Sequence, residues 1–342
     1  MKLRALYDHS IRYAARLDVR GQDGLRRVLE QRRREYEALP AWERETYDRE
    51  RLTNPFGDVR LAYSPTDPDA LEIRTILLGI DITPTELLLA DRLRRRGVPI
   101  DAVVAHHTPN AGIAFNLAHD IMDVNVEMLT SRGVPRADAE RVIHPYVHER
   151  WQNNEDFIRQ GVATAAQLGL PFGCIHTPAD YAFEQGISEV VEAYQPKTTG
   201  EVVRALMTIP EVQSAAHFGA FPRVMSGDET WPLGRYMVKG GGGRIFPPGA
   251  YPLLGTAGVN TVIQIGCGAA HARAAQDAGV CIVRVPHAAC DNFGINLWLD
   301  DAIHELGPLE VIGCAAFERT IRDAPSTPAA MATPAPQPGA TR

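Results

Sequence analysis

An α/β fold with substantially parallel strands is predicted by three observations. Helix-like segments alternate with short apolar runs, a glycine closes each helix just before the next run, and three of those runs end in histidine. The chain has 342 residues, 45% apolar and 23% charged, which allows one large or two medium domains and excludes a disordered, collagen-like or disulfide-scaffold protein. A net charge of −7 argues against nucleic acid or an anionic membrane surface as the main partner. No apolar run approaches the roughly 18 residues needed to span a bilayer. The opening residues lack the apolar stretch and small-residue cleavage site of a secretory signal, so a cytoplasmic protein is expected. Five cysteines, odd in number and without a C-x-x-C pair, fit reduced thiols in such a compartment.

Residues 1–72 are expected to form a helical, charged N-terminal segment packed on the first lobe. Arg26, Arg27, Arg32, Arg33 and Arg34 interleave there with Glu30, Glu35 and Glu37, the pattern of a solvated helix face, with a basic patch for an acidic partner as the alternative. Residues 73–195 read as a first α/β lobe, opening on a buried strand over 73–80. Thr83-Pro84-Thr85-Glu86 is a capping box with proline at the first helical position, and the helix it starts stops at Gly97. The next strand, 100–105, delivers His106 and His107. The unit recurs: a helix ending in Gly169 precedes a strand over 171–175 and His176, and one ending in Gly279 precedes a strand over 280–285 and His287. Between them, 196–258 reads as a helical and Gly/Pro-rich connection or insertion, followed by a second α/β lobe over 259–321. Residues 322–342 carry too few apolar side chains to offset ordering and are expected to be a disordered tail.

In open α/β sheets ligands bind beyond the carboxyl ends of the strands, so three strand ends bearing histidine point to chemistry at one edge. His106-His107 can ligate two neighbouring metals if the strand twists at its end. His176-Thr-Pro-Ala-Asp180 and His287-Ala-Ala-Cys-Asp291 each place a carboxylate one helical turn after a histidine. Thr177 and Asp180 also suit the bland role of a helix start. Imidazole and carboxylate together are a ligand set for borderline divalent cations. Too few to fill two octahedra, these donors would need a bridging carboxylate and would leave positions open for catalysis.

These motifs resemble the Nif-three-like family, often labelled type 2 GTP cyclohydrolase I homologues. The matching pieces are GIDITPTELLLADRL with DAVVAHHTPN, then CIHTPAD, then VCIVRVPHAACDNFGINLWLDDAI. The resemblance implies a two-lobed α/β fold with mainly parallel strands, a toroidal homohexamer and a dinuclear metal site at the strand ends. Its ligands would be His106, His107, Asp180, His287 and Asp291, with Asp180 or Asp291 bridging. Aspartate at 291, where glutamate is usual, marks the longer branch. Relatives in that branch tend to carry His and Glu in the turn 263–271, where only His271 remains.

The function expected is a metal-dependent hydrolase of a small molecule, possessing two divalent ions (Zn, Fe, Mn or Ni) and acting on a cyclic amide, a purine-like ring or a phosphate ester. His176 and His271 are the candidates for proton transfer. Lys239 and Arg244, bounding a run of four glycines, could meet a substrate anion; a flexible connection is the alternative. Gly266-x-Gly268-x-x-His271 only imitates a dinucleotide fingerprint. The rival class is a non-catalytic metal-binding or metal-delivery protein, whose ligands would be the same.

Overall fold

A computed structural model describes residues 1–107, 122–152, 159–243 and 245–322, without the side chains of 148–152. The chain opens on α1 (Leu3–Leu17), α2 (Gly21–Ala38) and α3 (Ala41–Thr46), then β1 (Val59–Tyr63) and β2 (Thr75–Gly79). There follow α4 (Pro84–Arg95), β3 (Ala102–Ala105), α5 (Val124–Ser131), α6 (Arg136–Gln152), α7 (Gln160–Leu168) and β4 (Phe172–Ile175). The second half runs α8 (Thr177–Tyr194), α9 (Thr199–Leu206), α10 (Pro210–His217), β5 (Arg223–Ser226), β6 (Tyr236–Lys239), α11 (Ala250–Thr256), β7 (Thr261–Gln264) and α12 (Ala269–Asp277). It closes with β8 (Cys281–Arg284), α13 (His287–Leu306) and β9 (Glu310–Cys314).

The helix starts obey their local chemistry. Thr83 caps α4 through the Thr85 amide at 3.1 Å while Glu86 accepts from the Thr83 amide at 2.8 Å, the reciprocal box that the sequence predicts. Gly169, Gly97 and Gly279 each take positive φ between a helix and the strand after it.

Two sheets result. One has the order β1-β4-β3-β2-β9, parallel except for β1, which runs antiparallel to β4 at the edge. The other has the order β5-β8-β7-β6, parallel except for β5. The mixed α/β class with parallel strands in two sheets is therefore the fold of this chain. β2, β3, β7 and β8 are apolar runs buried nearly throughout, as strands covered on both faces require.

The sheets do not follow the expected segment boundaries. β1, from the N-terminal segment, and β9, after the second sheet's last strand, both join the first sheet. β5 and β6, from the segment expected as a connection, are the two edges of the second sheet. An edge strand such as β5 is mostly solvent-facing and carries little apolar signal, and β6 is only four residues followed at once by glycines. The N-terminal helices are not an appendage: Leu3, Leu6, Tyr7 and Ala14 share one core with Ile73, Ile76, Trp298 and Leu299. Among the described residues, no helix is long and apolar enough to cross a membrane.

Candidate metal centre

The strand ends position the histidines through the backbone. The His106 amide donates to the Gly79 carbonyl and the His107 amide to that of Ile80, both at 2.9 Å, so the β2–β3 ladder runs two residues past β3 and holds both side chains at the edge. His176 is the N-cap residue of α8, with Asp180 in the first turn. His287 opens α13, with Asp291 one turn later. Helices α8 and α13 lie so close that a Cβ on Gly294 would stand 2.1 Å from the Ala179 carbonyl oxygen, and one on Gly186 2.8 Å from the Phe293 ring. That contact, between the neighbours of Asp180 and Asp291, brings the two carboxylates to one point.

Around Asp291 the side chains converge. Its Oδ1 lies 3.7 Å from His106 Nε2 and 3.4 Å from His287 Nε2, and its Oδ2 lies 3.6 Å from His107 Nε2. Asp180 Oδ1 is 3.7 Å from His106 Nε2, and Asp180 Oδ2 is 3.6 Å from His176 Nδ1. The His176 ring stacks on His106 with centroids 4.7 Å apart. Three rings are tied at Nδ1: His106 to the Ile175 carbonyl at 3.2 Å, His107 to Asp81 at 2.9 Å and His176 to Asp58 at 2.9 Å. An imidazole held at Nδ1 by an acceptor presents Nε2 as the free ligating atom.

Burial sets the charges. His106, with no exposed surface, is driven by desolvation down to about 4 and is a neutral ring at pH 7. Desolvation also lowers His287 below the usual histidine range. Burial raises Asp180 to about 6, partly opposed by His176. His176 is itself disfavoured as a cation by burial, but Asp180 and Asp58 outweigh that and raise it to about 9. Burial pushes Asp291 up, and the surrounding histidines, His106 first, overcome it and hold the carboxyl below its ordinary value.

This arrangement fits divalent metal. His106 Nε2 and Asp291 Oδ1 are both buried without a hydrogen-bond partner, the costly condition that a cation between them would relieve. The ligating atoms form overlapping groups, His106/Asp180/Asp291 and His107/His287/Asp291, each within 4.8 Å, with Asp291 common to both. His106, His107 and His176 form a further such group. These buried His/Asp groups can bind metal ions. The trio His9, Asp301 and Glu305 is also compact, but each nitrogen of His9 faces a different carboxylate, and Arg12 and Arg16 pair with the same two acids. It is an ion-paired helix clip.

Other residues named from the sequence lie elsewhere or differ in state. His271, in the first turn of α12, sets its ring edge against Tyr251 at 6.3 Å and belongs to none of the His/Asp groups among the described residues. Burial lowers its pKa. Lys239 does not extend toward an external anion: it is 1% exposed, its ammonium donates to the Gly241 carbonyl and it lies over the Phe246 ring. The amides of Gly240 and Gly241 are taken by Glu184, at 3.1 and 2.9 Å. An internal carboxylate on α8 thus fills the anion-binding role that the glycine run suggested, and the loop is packed between β6 and α8. Arg244 lies outside the described residues, as does the tail beyond Arg322.

Two contributors carried no motif. Asp81 stands just past the end of β2, a position that strand-end reasoning could have found. Asp58, with no exposed surface, precedes the antiparallel edge strand β1 and accepts from His176, from the Thr177 amide at 3.0 Å and from the Thr177 hydroxyl at 2.8 Å. Only the β1–β4 pairing brings it there.

No protein-family model and no curated protein matches the chain. Among solved structures, a NIF3 superfamily protein from Sphaerobacter thermophilus is 28% identical, with a TM-score of 0.62 over 72% of this chain and 88% of that one. Reduced HcgD from Methanocaldococcus jannaschii is 11% identical, TM-score 0.43, over 74% of this chain and 87% of that one. A protein ybgI of unknown function is 13% identical, TM-score 0.43, over 75% and 87% respectively. With two α/β sheets and histidines at three strand ends, the chain is similar in fold and sequence to this NIF3 superfamily protein over most of both chains.

Proposed function

We propose that this chain is a metal-dependent hydrolase that holds two divalent ions in the His–Asp cluster and opens a C–N bond of a small molecule, a cyclic amide or purine-like ring. The observation that carries this reading is the convergence on Asp291 of donors from three strand ends, with buried polar atoms of His106 and Asp291 left unpartnered. His106, Asp180 and Asp291 would hold one ion, and His107, His287 and Asp291 the other. When bound, such ions supply Lewis acidity and acidify the water they carry. The chain's own residues then do the rest. Asp58, itself held by the Thr177 amide, fixes the orientation of His176 through Nδ1, which leaves Nε2 to hold or move a proton. His271, against the Tyr251 ring, belongs to none of the His/Asp groups among the described residues, and this reading rests proton transfer on His176.

The test joins metal analysis to substrate search. Purified protein is expected to carry about two divalent ions per chain, and His107→Ala or Asp180→Ala to remove at least one. A broad metabolite screen with the loaded protein should find one compound consumed. Full metal in both variants overturns the ligand assignment. An ion lost to a weak chelator within seconds, with no metabolite consumed, replaces the hydrolase by a metal carrier.

A further inference from the structure

We propose that Glu184 is a positioning residue of the metal centre: its carboxylate grips the glycine loop 240–243 and so sets where Asp180 stands. The inference rests on the metal reading above and gives the glycine run a duty at the site other than meeting a substrate anion.

Asp180 and Glu184 stand one helical turn apart on α8, which follows β4 of the first sheet, whereas the loop follows β6 of the second. Glu184 Oε2 accepts from the Gly240 amide at 3.1 Å and from the Gly241 amide at 2.9 Å, so one carboxylate oxygen ties the two sheets together beside the first turns of α8. Lys239 holds the same loop by donating to the Gly241 carbonyl. Burial raises the pKa of Glu184, opposed by the Gly241 amide and Lys239; burial lowers that of Lys239 to about 8, opposed by Glu184.

The loop is glycine because other side chains fill the places of its Cβ atoms. A Cβ on Gly241 would stand 2.2 Å from the Tyr181 ring, one on Gly240 2.7 Å from the Phe183 ring, and one on Gly242 2.8 Å from the Asn125 side-chain amide. Tyr181 is fixed at its far end as well: its hydroxyl donates to Asp18 at 3.0 Å, and Arg20 Nε donates to the same carboxylate at 2.8 Å. Side chains 181, 183 and 184 therefore all meet the loop, and the backbone of Asp180 is carried with them. These contacts place the ligand turn of α8 without covering the Asp180 carboxyl. The Glu184 bonds differ from the ring packing in one testable respect: glutamine keeps an oxygen for the two amides, and alanine does not.

The experiment measures the Zn²⁺ affinity of the full chain by competition with a chromogenic chelator, with thermal unfolding as the check that each variant is folded. Glu184→Ala should weaken binding by about 10–100-fold, the usual effect of losing a group that orients a ligand. Glu184→Gln should melt lower, since Lys239 loses its counter-charge, yet bind nearly as wild type does. Asp301→Asn, near the other end of α13, should melt lower with unchanged affinity. In an Asp180→Ala background, Glu184→Ala should have no further effect, because it acts through Asp180. Should Glu184→Ala fail to fold, Gly241→Ala, which displaces the Tyr181 ring, takes its place with the same expected dependence on Asp180. Wild-type affinity in the folded alanine variant overturns the inference and leaves the metal reading standing. So does a glutamine variant as weak as alanine, equal weakening in Asp301→Asn, or a loss that persists without Asp180. A folded wild-type chain that binds no Zn²⁺ overturns both.

Discussion

At the residue scale, His176 and Asp58 form the pair whose roles are most separable from metal binding. His176 lies four residues before Asp180, with Nδ1 committed to Asp58 at 2.9 Å. His176→Gln is expected to retain both ions and lower turnover by roughly 10²–10⁴, the range for a lost general acid or base. Asp58→Asn keeps the shape but turns an acceptor into a group that can donate, so the ring loses its fixed tautomer. Its turnover should fall by about 10–100-fold, the usual effect of an outer partner of a site, with the acid or base limb of the pH–rate profile displaced. A His176→Gln protein that loses metal in elemental analysis would make the ring a ligand. An Asp58→Asn protein with an unmoved profile would reduce that carboxylate to a packing role. The histidines and acids of the three clusters were legible because they fall at strand ends and one helical turn later. Asp58 was not, because its partner lies 118 residues away and an antiparallel edge strand makes the meeting.

At the scale of elements, the α8–α13 contact decides the geometry of the centre. Gly294 invites a test in which two effects oppose each other. Alanine is the better helix former by about 1 kcal/mol. Its methyl group would meet backbone, the Ala179 carbonyl oxygen at 2.1 Å, and a helix cannot yield there without shifting Asp180 or Asp291. Overpacking of this kind costs about 1–3 kcal/mol, so Gly294→Ala should destabilise the protein by about 1 kcal/mol net in denaturant unfolding, and weaken metal binding as well. Equal or higher stability would mean that the helices separate freely. Sequence patterning found α4 by its capping box and the first and second strands of the repeating unit by their apolar runs. It missed β5 and β6, since short edge strands beside Gly and Pro read as a connection.

At the scale of the molecule, α1 and α13, far apart in sequence, are clipped together. His9, fully buried, faces Glu305 at 3.1 Å through Nδ1 and Asp301 at 3.2 Å through Nε2, while Arg12 and Arg16 pair with the same acids. Burial alone would raise Asp301, but His9 and Arg16 overcome it and hold its carboxyl below the ordinary aspartate range. A carboxyl depressed in the folded state contributes stability that is present above its unfolded value and lost as pH falls through the folded one. Asp301→Asn should therefore cost stability at pH 6, and the gap to wild type should close below about pH 4. Because Asp301 is 39% exposed, solvent screening limits the cost to about 1 kcal/mol. A gap that persists unchanged at pH 3 in matched unfolding curves would show that the charge of Asp301 is not what holds the clip.

The sequence by itself determined the α/β class, several helix starts and stops, and which histidines and aspartates stand at strand ends and one helical turn later, because periodicity, capping and strand-end position are local properties. Tertiary structure alone decided the rest. That β1 and β9 belong to the first sheet, that Glu184 fills the glycine loop, that Lys239 is buried and that His271 joins none of the His/Asp groups among the described residues all depend on which distant segments pair. Exposure has the same origin: it is a property of the packing around a side chain, and His106 and His287 differ in it from 0% to 51% although both are histidines at strand ends.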